Sequence, residues 1–338
     1  MAGERGADGG HHTGVSATSL SLERPRTVAA DSRVAVLLST YNGSQFLDEQ
    51  LDSFLNQRHG AWTLFWRDDG SVDGTAAALA GFARRAGPGR CVHVGRPAGR
   101  VGVVGSYLAL LRAAVPTLAE GDAAAFADQD DVWLPEKLSR GIAALAAVPK
   151  GVPALYCARQ MLVDAELRRI GLSPPFIRPP GFPAALTQNI ATGCTILLNR
   201  AAASLVAGST PPPSTLHDWW SYLLVSAAGG QVLTDDEPVL LYRQHSSNTV
   251  GARKSRWRRA LAAARRGPAP FMTDFRSHVN GLAAHAHLLT PAARRDVARL
   301  QHAIAGGLLD RFAALALPGL RRTHWSEGVL FRLWFVIG

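Results

Sequence analysis

The sequence predicts an α/β protein whose mixed, mainly parallel, Rossmann-like sheet is flanked by helices and followed by a C-terminal helical extension. The first observation is that short apolar runs, typical of strands buried on both faces, alternate with segments of helical periodicity from Ser32 onward. Parallel strands need such crossover helices. The second observation is that polar clusters follow the strands at their carboxyl ends, where sheets of this kind bind ligands.

Each predicted element has its own local signal. Four apolar runs predict strands: "VAVLLS" (34–39), "WTLFWR" (62–67), "CVHV" (91–94) and "AAAFAD" (123–128). The first helix is predicted within "SQFLDEQLDSFLNQ", where one stripe holds Leu47, Leu51, Phe54 and Leu55. "DDGSVDGT" supplies turn and capping residues before the second helix, "AAALAGFARR", and "VVGSYLALLRAAV" is the third.

Length and composition divide the chain into three parts. With 338 residues, 47% of them apolar and 18% charged, the chain can bury a large core. Residues 1–32 are glycine-rich and polar and hold no apolar stretch of signal-peptide length, so we expect a disordered tail. Residues 33–251 are expected to form the α/β domain, and residues 252–338 a basic, amphipathic helical region.

The cysteine content and the hydropathy of the sequence indicate the cellular compartment in which the protein is expected. Cys91, Cys157 and Cys194 are odd in number and match no zinc-ligand spacing, which predicts buried free thiols in a reducing environment. No run reaches the roughly 18 uninterrupted apolar residues that mark a membrane span. We therefore expect a cytoplasmic protein.

The positive charge is confined to the C-terminal part. Residues 251–338 hold 15 Lys and Arg against 4 Asp and Glu, whereas the rest of the chain is nearly neutral, so we expect no nucleic-acid partner for the α/β domain. Two segments of this part each allow two interpretations: "RKSRWRRALAAARR" (253–266) and "EGVLFRLWFVIG" (327–338). In the first interpretation, residues 253–266 form a solvated helix and residues 327–338 a helix packed on the core. In the second, both segments lie on an anionic membrane surface. The second interpretation predicts a peripheral protein on the inner face of the plasma membrane.

An unusual concentration of acid follows the fourth predicted strand. "FADQDDVWLP" (126–135) places three carboxylates in four positions, and such neighbours raise one another's pKa unless a cation binds them. Their hard oxygen ligands suit Mn²⁺ or Mg²⁺. A helix cap before Pro135 requires only one of these acids, and Asp131 is the candidate for that role.

Six segments resemble a known enzyme family. They are "LLSTYNGSQFLDEQLDSFLNQ", "RDDGSVDGT", "ADQDDVWLPEKL", "ATGCTILLNR", "HDWW" and "YRQHSSNTVG", which occur in this order over about residues 33–251. The order is similar to that of inverting family 2 glycosyltransferases of the GT-A fold, and most similar to the bacterial rhamnosyltransferase group. The resemblance implies the GT-A fold for the α/β domain.

The resemblance also implies roles at the nucleotide end of a site. Ser39, Thr40 and Tyr41 would hold the base and ribose, and Asp69 would accept a hydrogen bond from the imide NH of the base. Asp69 is alternatively a turn former. Glu49 is either a nucleotide contact or a solvated charge.

Further roles concern the diphosphate and the transferred sugar. Asp128 and Asp130 form the family's DXD element, in which Asp128 reaches the nucleotide and Asp130 a divalent ion. Asp218 of "HDWW" stands at the position of the catalytic base. Arg243 would pair with phosphate, and His245 would bind the metal or a phosphate.

Three neighbouring positions stay open. Trp219 and Trp220 are candidate walls of the acceptor or sugar pocket. His217 is either a helper of the base or a capping neighbour. Gly193 allows either a close backbone approach to the sugar or a strand bulge.

These roles together imply a metal-dependent glycosyl transfer with inversion. The expected donor is dTDP-L-rhamnose, and the expected acceptor is a hydroxyl of a cell-surface glycan or a lipid-linked precursor. A UDP-hexose donor is the nearest alternative. A catalytically inactive module that binds membrane or nucleic acid is another, whereas a nucleotidylyltransferase would need a Gly-rich, Arg-containing loop in place of "STYNGSQ".

Overall fold

The computed structural model describes residues 32–95, 99–213, 215–245 and 267–338. The predicted tail, apart from Ser32, and the predicted basic helix 253–266 lie outside these residues. The described residues form an α/β body followed by helices.

A single mixed sheet organises the molecule. Its nine strands follow the order β3-β2-β1-β4-β8-β6-β9-β5, with β7 paired to β6. Strands β1 to β4 are parallel, as predicted, while β8 runs antiparallel to both of its neighbours, β4 and β6. The strands are β1 Val34–Thr40, β2 Trp62–Asp68, β3 Cys91–His93, β4 Ala123–Ala127, β5 Val132–Trp133, β6 Ala154–Val163, β7 Arg169–Leu172, β8 Leu197–Asn199 and β9 Gln231–Arg243.

Helices cover both faces of this sheet. Six of the described helices belong to the α/β body, and the others follow the sheet in the chain. They are α1 Leu47–Leu55, α2 Thr75–Ala86, α3 Gly102–Ala114, α4 Lys137–Ala146, α5 Arg200–Ala207, α6 His217–Ala227, α7 Ala269–Ala284, α8 Pro291–Ala305, α9 Leu308–Leu315 and α10 Trp325–Ile337.

The alternation of side chains along the strands divides the core in two. On β1, Ala35 and Leu37 face the cluster that holds α3, α5 and α6, whereas Val36 and Leu38 face the cluster that holds α1, α2 and α4. All four residues are buried, which explains the uninterrupted apolar run.

The C-terminal helices pack on the first of these clusters. Phe331 and Phe335 of α10 are buried against Phe275 of α7, with ring centroids 5.9 and 5.5 Å apart. The buried face of α10 therefore belongs to the core, as one of the two sequence interpretations predicts. Within the described ranges, no helix combines the length and apolarity that a membrane crossing requires.

Three sequence expectations differ from the structure. Leu55 ends α1 at the margin of the buried stripe and is exposed. Cys91 is only half-buried because β3 is an edge strand, while Cys157 and Cys194 are buried free thiols as predicted. Trp220 does not wall a pocket: it is fully buried in the core, where its Nε1 donates to Ser209 Oγ at 2.8 Å.

Candidate active site

A cavity of about 1200 Å³ opens at the carboxyl ends of β1 and β4. It exceeds the ordinary range for a drug-sized ligand, roughly 300–1000 Å³, so a nucleotide sugar fits inside it. Eight of the ten predicted site residues line it: Ser39, Thr40, Tyr41, Asp69, Asp128, Asp130, Asp218 and His245. The structure thus brings together side chains that are up to 206 positions apart in the sequence, Ser39 and His245.

The acid cluster lies at the floor of this cavity. Burial and the neighbouring carboxylate of Asp130 raise the pKa of Asp128, to which the Tyr107 hydroxyl donates at 2.7 Å. Asp130 Oδ2 lies 2.8 Å from His245 Nε2, and these two side chains are 22% and 15% exposed. Asp128 also converges with Asp131 and Cys194, whose ligand atoms all lie within 4.8 Å of one another, and carboxylate oxygens are donors that suit a hard divalent cation.

Gln129 connects this acid loop to the loop after β1. Its Oε1 accepts from the Tyr41 backbone N–H at 2.9 Å, and its Nε2 donates to the Tyr41 carbonyl at 3.1 Å. Glycine is needed at position 43, because a Cβ there would lie 2.3 Å from Gln129 Oε1. Gln129 therefore fixes the relative position of the loops that follow β1 and β4.

Asp131 is buried behind the cavity rather than capping a helix. Residue Glu136, not Asp131, occupies the position before α4. Burial and the nearby carboxylates of Asp130 and Asp128 raise the pKa of Asp131 well above its ordinary range. The predicted cap is therefore wrong, and Asp131 adds a third carboxyl group to the acid cluster from its buried side.

Lys137 places a buried basic group near Asp131 and Asp128. Its ammonium is fully buried, donates to the Cys194 carbonyl at 2.6 Å and lies 4.1 Å from the centre of the Trp133 ring. Burial lowers the pKa of Lys137 to about 8, although Asp131 and Asp128 oppose this effect. The lysine of "PEKL" therefore supplies a fixed cation beneath the acid cluster.

Asp218 faces the cavity from the first turn of α6. It is 8% exposed, and its carboxylate accepts from the backbone N–H of Gly193 at 3.2 Å and of Trp219 at 2.6 Å. Burial nevertheless raises the pKa of Asp218 to about 6, because these two hydrogen bonds and a third from Asn189 cancel only part of the effect of burial. A carboxylate of this basicity can accept a proton near neutral pH.

His217 lies next to Asp218 in the first turn of α6, and Leu216 rather than His217 occupies the cap position of that helix. Its ring stacks on Tyr107 with centroids 3.8 Å apart, and burial lowers the pKa of His217 to about 3. A Cβ on Gly193 would lie 2.8 Å from His217 Nε2. Gly193 forms a 3-10 turn rather than a strand bulge, and it is glycine because the histidine ring fills the space of a side chain.

Asp69 lines the cavity beside the loop that follows β1. The carboxylate of Asp69 accepts from the backbone N–H groups of Val101 and Gly102, at 3.0 and 2.9 Å, and lies 3.0 Å from the Arg67 guanidinium. Burial raises the pKa of Asp69, but these three donors outweigh burial and hold the pKa below its ordinary value. Asp69 is thus a fixed anion at the start of α3. Thr40, buried beside it, donates its hydroxyl towards Asp68 Oδ1 at 3.2 Å.

Glu49 and Arg243 lie outside the cavity lining and pair with each other. Arg243 is 1% exposed, and its Nε donates to the Asp130 carbonyl at 3.0 Å. Its guanidinium also lies 4.4 Å from the centre of the Phe46 ring. This placement differs from the predicted direct contacts with nucleotide and phosphate: the pair supports the acid loop from behind.

Several cavity residues were missed by sequence reasoning. The Arg100 guanidinium lies 3.8 Å from the centre of the Tyr41 ring, and Arg178 contributes a second cation to the lining. His324 and Glu327, at the start of α10, also line the cavity. None of these residues belongs to a motif, so only their positions in the fold reveal them.

The fold and the acidic cavity together define a protein of the GT-A class. The chain belongs to glycosyl transferase family 2, whose model matches residues 35–203. Among solved structures, S. aureus TarS 1–349 in complex with UDP-GlcNAc superposes with a TM-score of 0.55 over 79% of this chain and 70% of that chain, at 14% identity. This likeness confirms the predicted fold.

Two curated relatives match part of the chain. Protein CgeD of Bacillus subtilis (strain 168) is 30% identical over 139 residues, which are 40% of this chain and 31% of that protein. An uncharacterised glycosyltransferase of Nostoc sp. is 31% identical over 108 residues, which are 32% of this chain and 31% of that protein. The matches therefore span less than a third of the length of either relative.

Proposed function

We propose that this protein is an inverting glycosyltransferase that moves L-rhamnose from dTDP-L-rhamnose to a hydroxyl of a cell-surface glycan or lipid-linked precursor. The observation that carries the proposal is that Asp218, a buried carboxyl with a raised pKa, lines the same cavity as Asp128 and Asp130. Membership of glycosyl transferase family 2 supports the reaction class.

The proposed reaction is a single displacement. Asp218 removes the proton of the acceptor hydroxyl while that oxygen attacks the anomeric carbon and forms the new glycosidic bond. The bond between the anomeric carbon and the diphosphate oxygen breaks on the opposite face, and its electron pair stays with the departing nucleoside diphosphate. Because attack and departure occur on opposite faces, the configuration inverts, and Asp218 ends protonated.

The acid cluster is proposed to hold Mn²⁺ or Mg²⁺ through Asp130 and His245, with Asp128 beside them. When bound, the cation supplies positive charge that neutralises the diphosphate. Glu49 and Arg243 keep the acid loop in place, since Arg243 binds the Asp130 carbonyl.

The nucleotide is proposed to bind along Ser39, Thr40 and Tyr41. Asp69 faces the same end of the cavity and accepts the imide NH of the base. Arg100, stacked on Tyr41, supplies a cation within reach of this end. A pocket that makes no hydrogen bond to a ribose 2′-hydroxyl accepts the deoxyribose of dTDP without penalty.

The choice of L-rhamnose rests on the motif resemblance, with one supporting contact surface. Trp219 lines the cavity, and its Nε1 is held by the Ala185 carbonyl at 2.8 Å, so the ring presents a fixed apolar wall to the methyl group of a 6-deoxyhexose. A UDP-hexose is the second candidate donor, because the superposed TarS structure contains UDP-GlcNAc.

A donor screen tests this assignment. Purified protein is offered dTDP-L-rhamnose, UDP-glucose, UDP-galactose and UDP-N-acetylglucosamine with Mn²⁺ or Mg²⁺, and thermal stabilisation and donor turnover are measured. We expect both responses with dTDP-L-rhamnose. A response confined to a UDP-hexose would overturn the rhamnose assignment, and no response to any donor would overturn the transferase assignment.

A further inference from the structure

The last helix carries an exposed apolar line opposite its buried face. Trp325, Val329, Leu333 and Ile337 recur every four residues along α10, and their exposure ranges from 53% to 80%. Residues at this spacing lie on one side of a helix. Since Phe331, Trp334 and Phe335 are buried on the other side, α10 is apolar on both sides, and its core packing leaves this line uncovered.

The neighbouring helix extends this apolar surface. Leu308, Leu309 and Phe312 of α9 are more than half exposed, and the two helices are joined by Arg311, which donates to the Val336 carbonyl at 3.0 Å. Half of the exposed large apolar side chains in the described residues lie on α9 and α10. We call their exposed apolar side chains the α9–α10 surface. Such a concentration marks an interaction site.

The charge around the α9–α10 surface is positive. Glu327 is paired with Arg322 at 3.2 Å, and Asp310 accepts from the Gly307 backbone N–H at 3.1 Å at the start of α9, whereas Arg321 and Arg332 are exposed. Within the described residues 267–338, eight arginines stand against four acidic residues.

The described chain resumes at residue 267, beside the end of the apolar line. Gly338 follows Ile337 and packs against Pro268, such that a Cβ on Gly338 would lie 3.4 Å from the Pro268 Cβ. Residue 267, where the described chain resumes, is therefore next to the C-terminal end of α10. The apolar line and the exposed Arg332 therefore lie on the same helix.

The other end of the apolar line reaches the cavity. Thr323, His324 and Glu327 line the cavity, and Trp325, 80% exposed, lies between them in the sequence. Ile177, also exposed, lies on the cavity lining. The α9–α10 surface therefore begins at the cavity rim and ends at the C-terminal end of α10.

We infer that the α9–α10 surface binds an anionic lipid bilayer, which places the cavity mouth at the membrane surface and within reach of a lipid-linked acceptor. An anionic bilayer satisfies both features, because apolar side chains and tryptophan enter the interface while arginines bind acidic headgroups. A second copy of the chain would instead bring two surfaces of net positive charge together. Only the acceptor part of this inference rests on the proposed function.

Vesicle co-sedimentation of the full chain tests the inference. The wild type is mixed with vesicles of phosphatidylcholine alone or of phosphatidylcholine with phosphatidylglycerol, at low and high salt. We expect binding to the anionic vesicles only, weakened by salt. Leu333→Gln should reduce that binding by about tenfold, the effect of removing one apolar side chain from the interface. Leu55→Gln, an exposed leucine on α1, is the matched control and should bind as the wild type does.

Each outcome decides between the possible occupants. Equal binding to both vesicle types, no binding, or unchanged binding of Leu333→Gln would overturn the inference. A dimer in sedimentation velocity that Leu333→Gln dissociates, without vesicle binding by the wild type, would assign the surface to a second copy. Donor hydrolysis in solution separates the proposed transferase function from the proposed bilayer binding. The hydrolysis rate should be the same in Leu333→Gln and the wild type. Absence of hydrolysis in both proteins would count against the proposed function alone.

Discussion

Replacing Asp218 by asparagine should make the protein more stable and nearly inactive. Burial raises the pKa of Asp218 from 3.8 to about 6. Each pKa unit corresponds to about 1.4 kcal/mol, so the ionised carboxylate costs the folded state about 3 kcal/mol. Because the folded pKa is the higher one, this cost is absent below about pH 4 and is complete above about pH 6. The asparagine side chain has nearly the same shape and carries no charge.

We therefore expect Asp218→Asn to gain up to about 3 kcal/mol in the free energy of unfolding at pH 8, with the gain disappearing towards pH 4. Urea unfolding at a series of pH values measures it. Transfer should fall by about 100-fold or more while donor affinity persists. In the wild type the rate should rise with pH through about 6, as the base loses its proton.

Glu120→Gln is the control, since Glu120 is an exposed carboxylate in the turn before β4. It should change neither the stability profile nor the rate. The reasoning is refuted if Asp218→Asn shows the same pH dependence of stability as the wild type, or if it transfers sugar at the normal rate with donor bound.

Three further substitutions test the surroundings of the site. Asp130→Ala should keep the fold but lose metal-dependent thermal stabilisation and transfer; full activity of the wild type after exhaustive chelation would contradict the metal assignment. Gly193→Ala should lower the free energy of unfolding in urea by about 1–3 kcal/mol, because the alanine Cβ would lie 2.8 Å from His217 Nε2. An unchanged unfolding midpoint would contradict that contact. Lys137→Met should destabilise the fold by about 3–5 kcal/mol in urea unfolding at pH 6, because it removes the buried ammonium near Asp131 and Asp128 together with its hydrogen bond to the Cys194 carbonyl; an unchanged midpoint would show that Lys137 does not support the acid cluster.

The sequence predicts those parts of the fold and site that depend on local pattern. The strands β1 to β4 are runs of buried residues, so their apolar sequences identify them. Ligand-binding side chains at the ends of such strands follow from the topology, which is why Asp69, Asp128 and Asp130 meet in one cavity as expected.

Features that depend on distant contacts could not be predicted in this way. The two-residue strand β5 exists because Val132 and Trp133 pair with β9, more than a hundred residues later. Arg243 follows an apolar strand just as a phosphate ligand would, but the chain buries it against Glu49. Lys137 is an ordinary helix residue in the sequence, and its burial beneath the acid cluster is visible only in three dimensions.

For the C-terminal helix α10, the sequence predicts two possible environments but not which side of the helix meets each one. The apolar sequence of α10 is compatible with either core packing or a surface for lipid. In the structure, Phe331 and Phe335 face the core while Val329 and Leu333 face outward. Core packing therefore accounts for one side of the helix, and the proposed bilayer contact concerns the other. Hydrophobicity alone did not distinguish these sides.

The stereochemistry of donor hydrolysis tests the central claim most directly. With water as the acceptor, ¹H NMR follows the first anomer of L-rhamnose released from dTDP-β-L-rhamnose, before mutarotation. A single displacement with Asp218 as base predicts that α-L-rhamnose is released first, and that Asp218→Asn slows its release by about 100-fold or more. Initial release of β-L-rhamnose, or release at the wild-type rate from Asp218→Asn, would contradict the account.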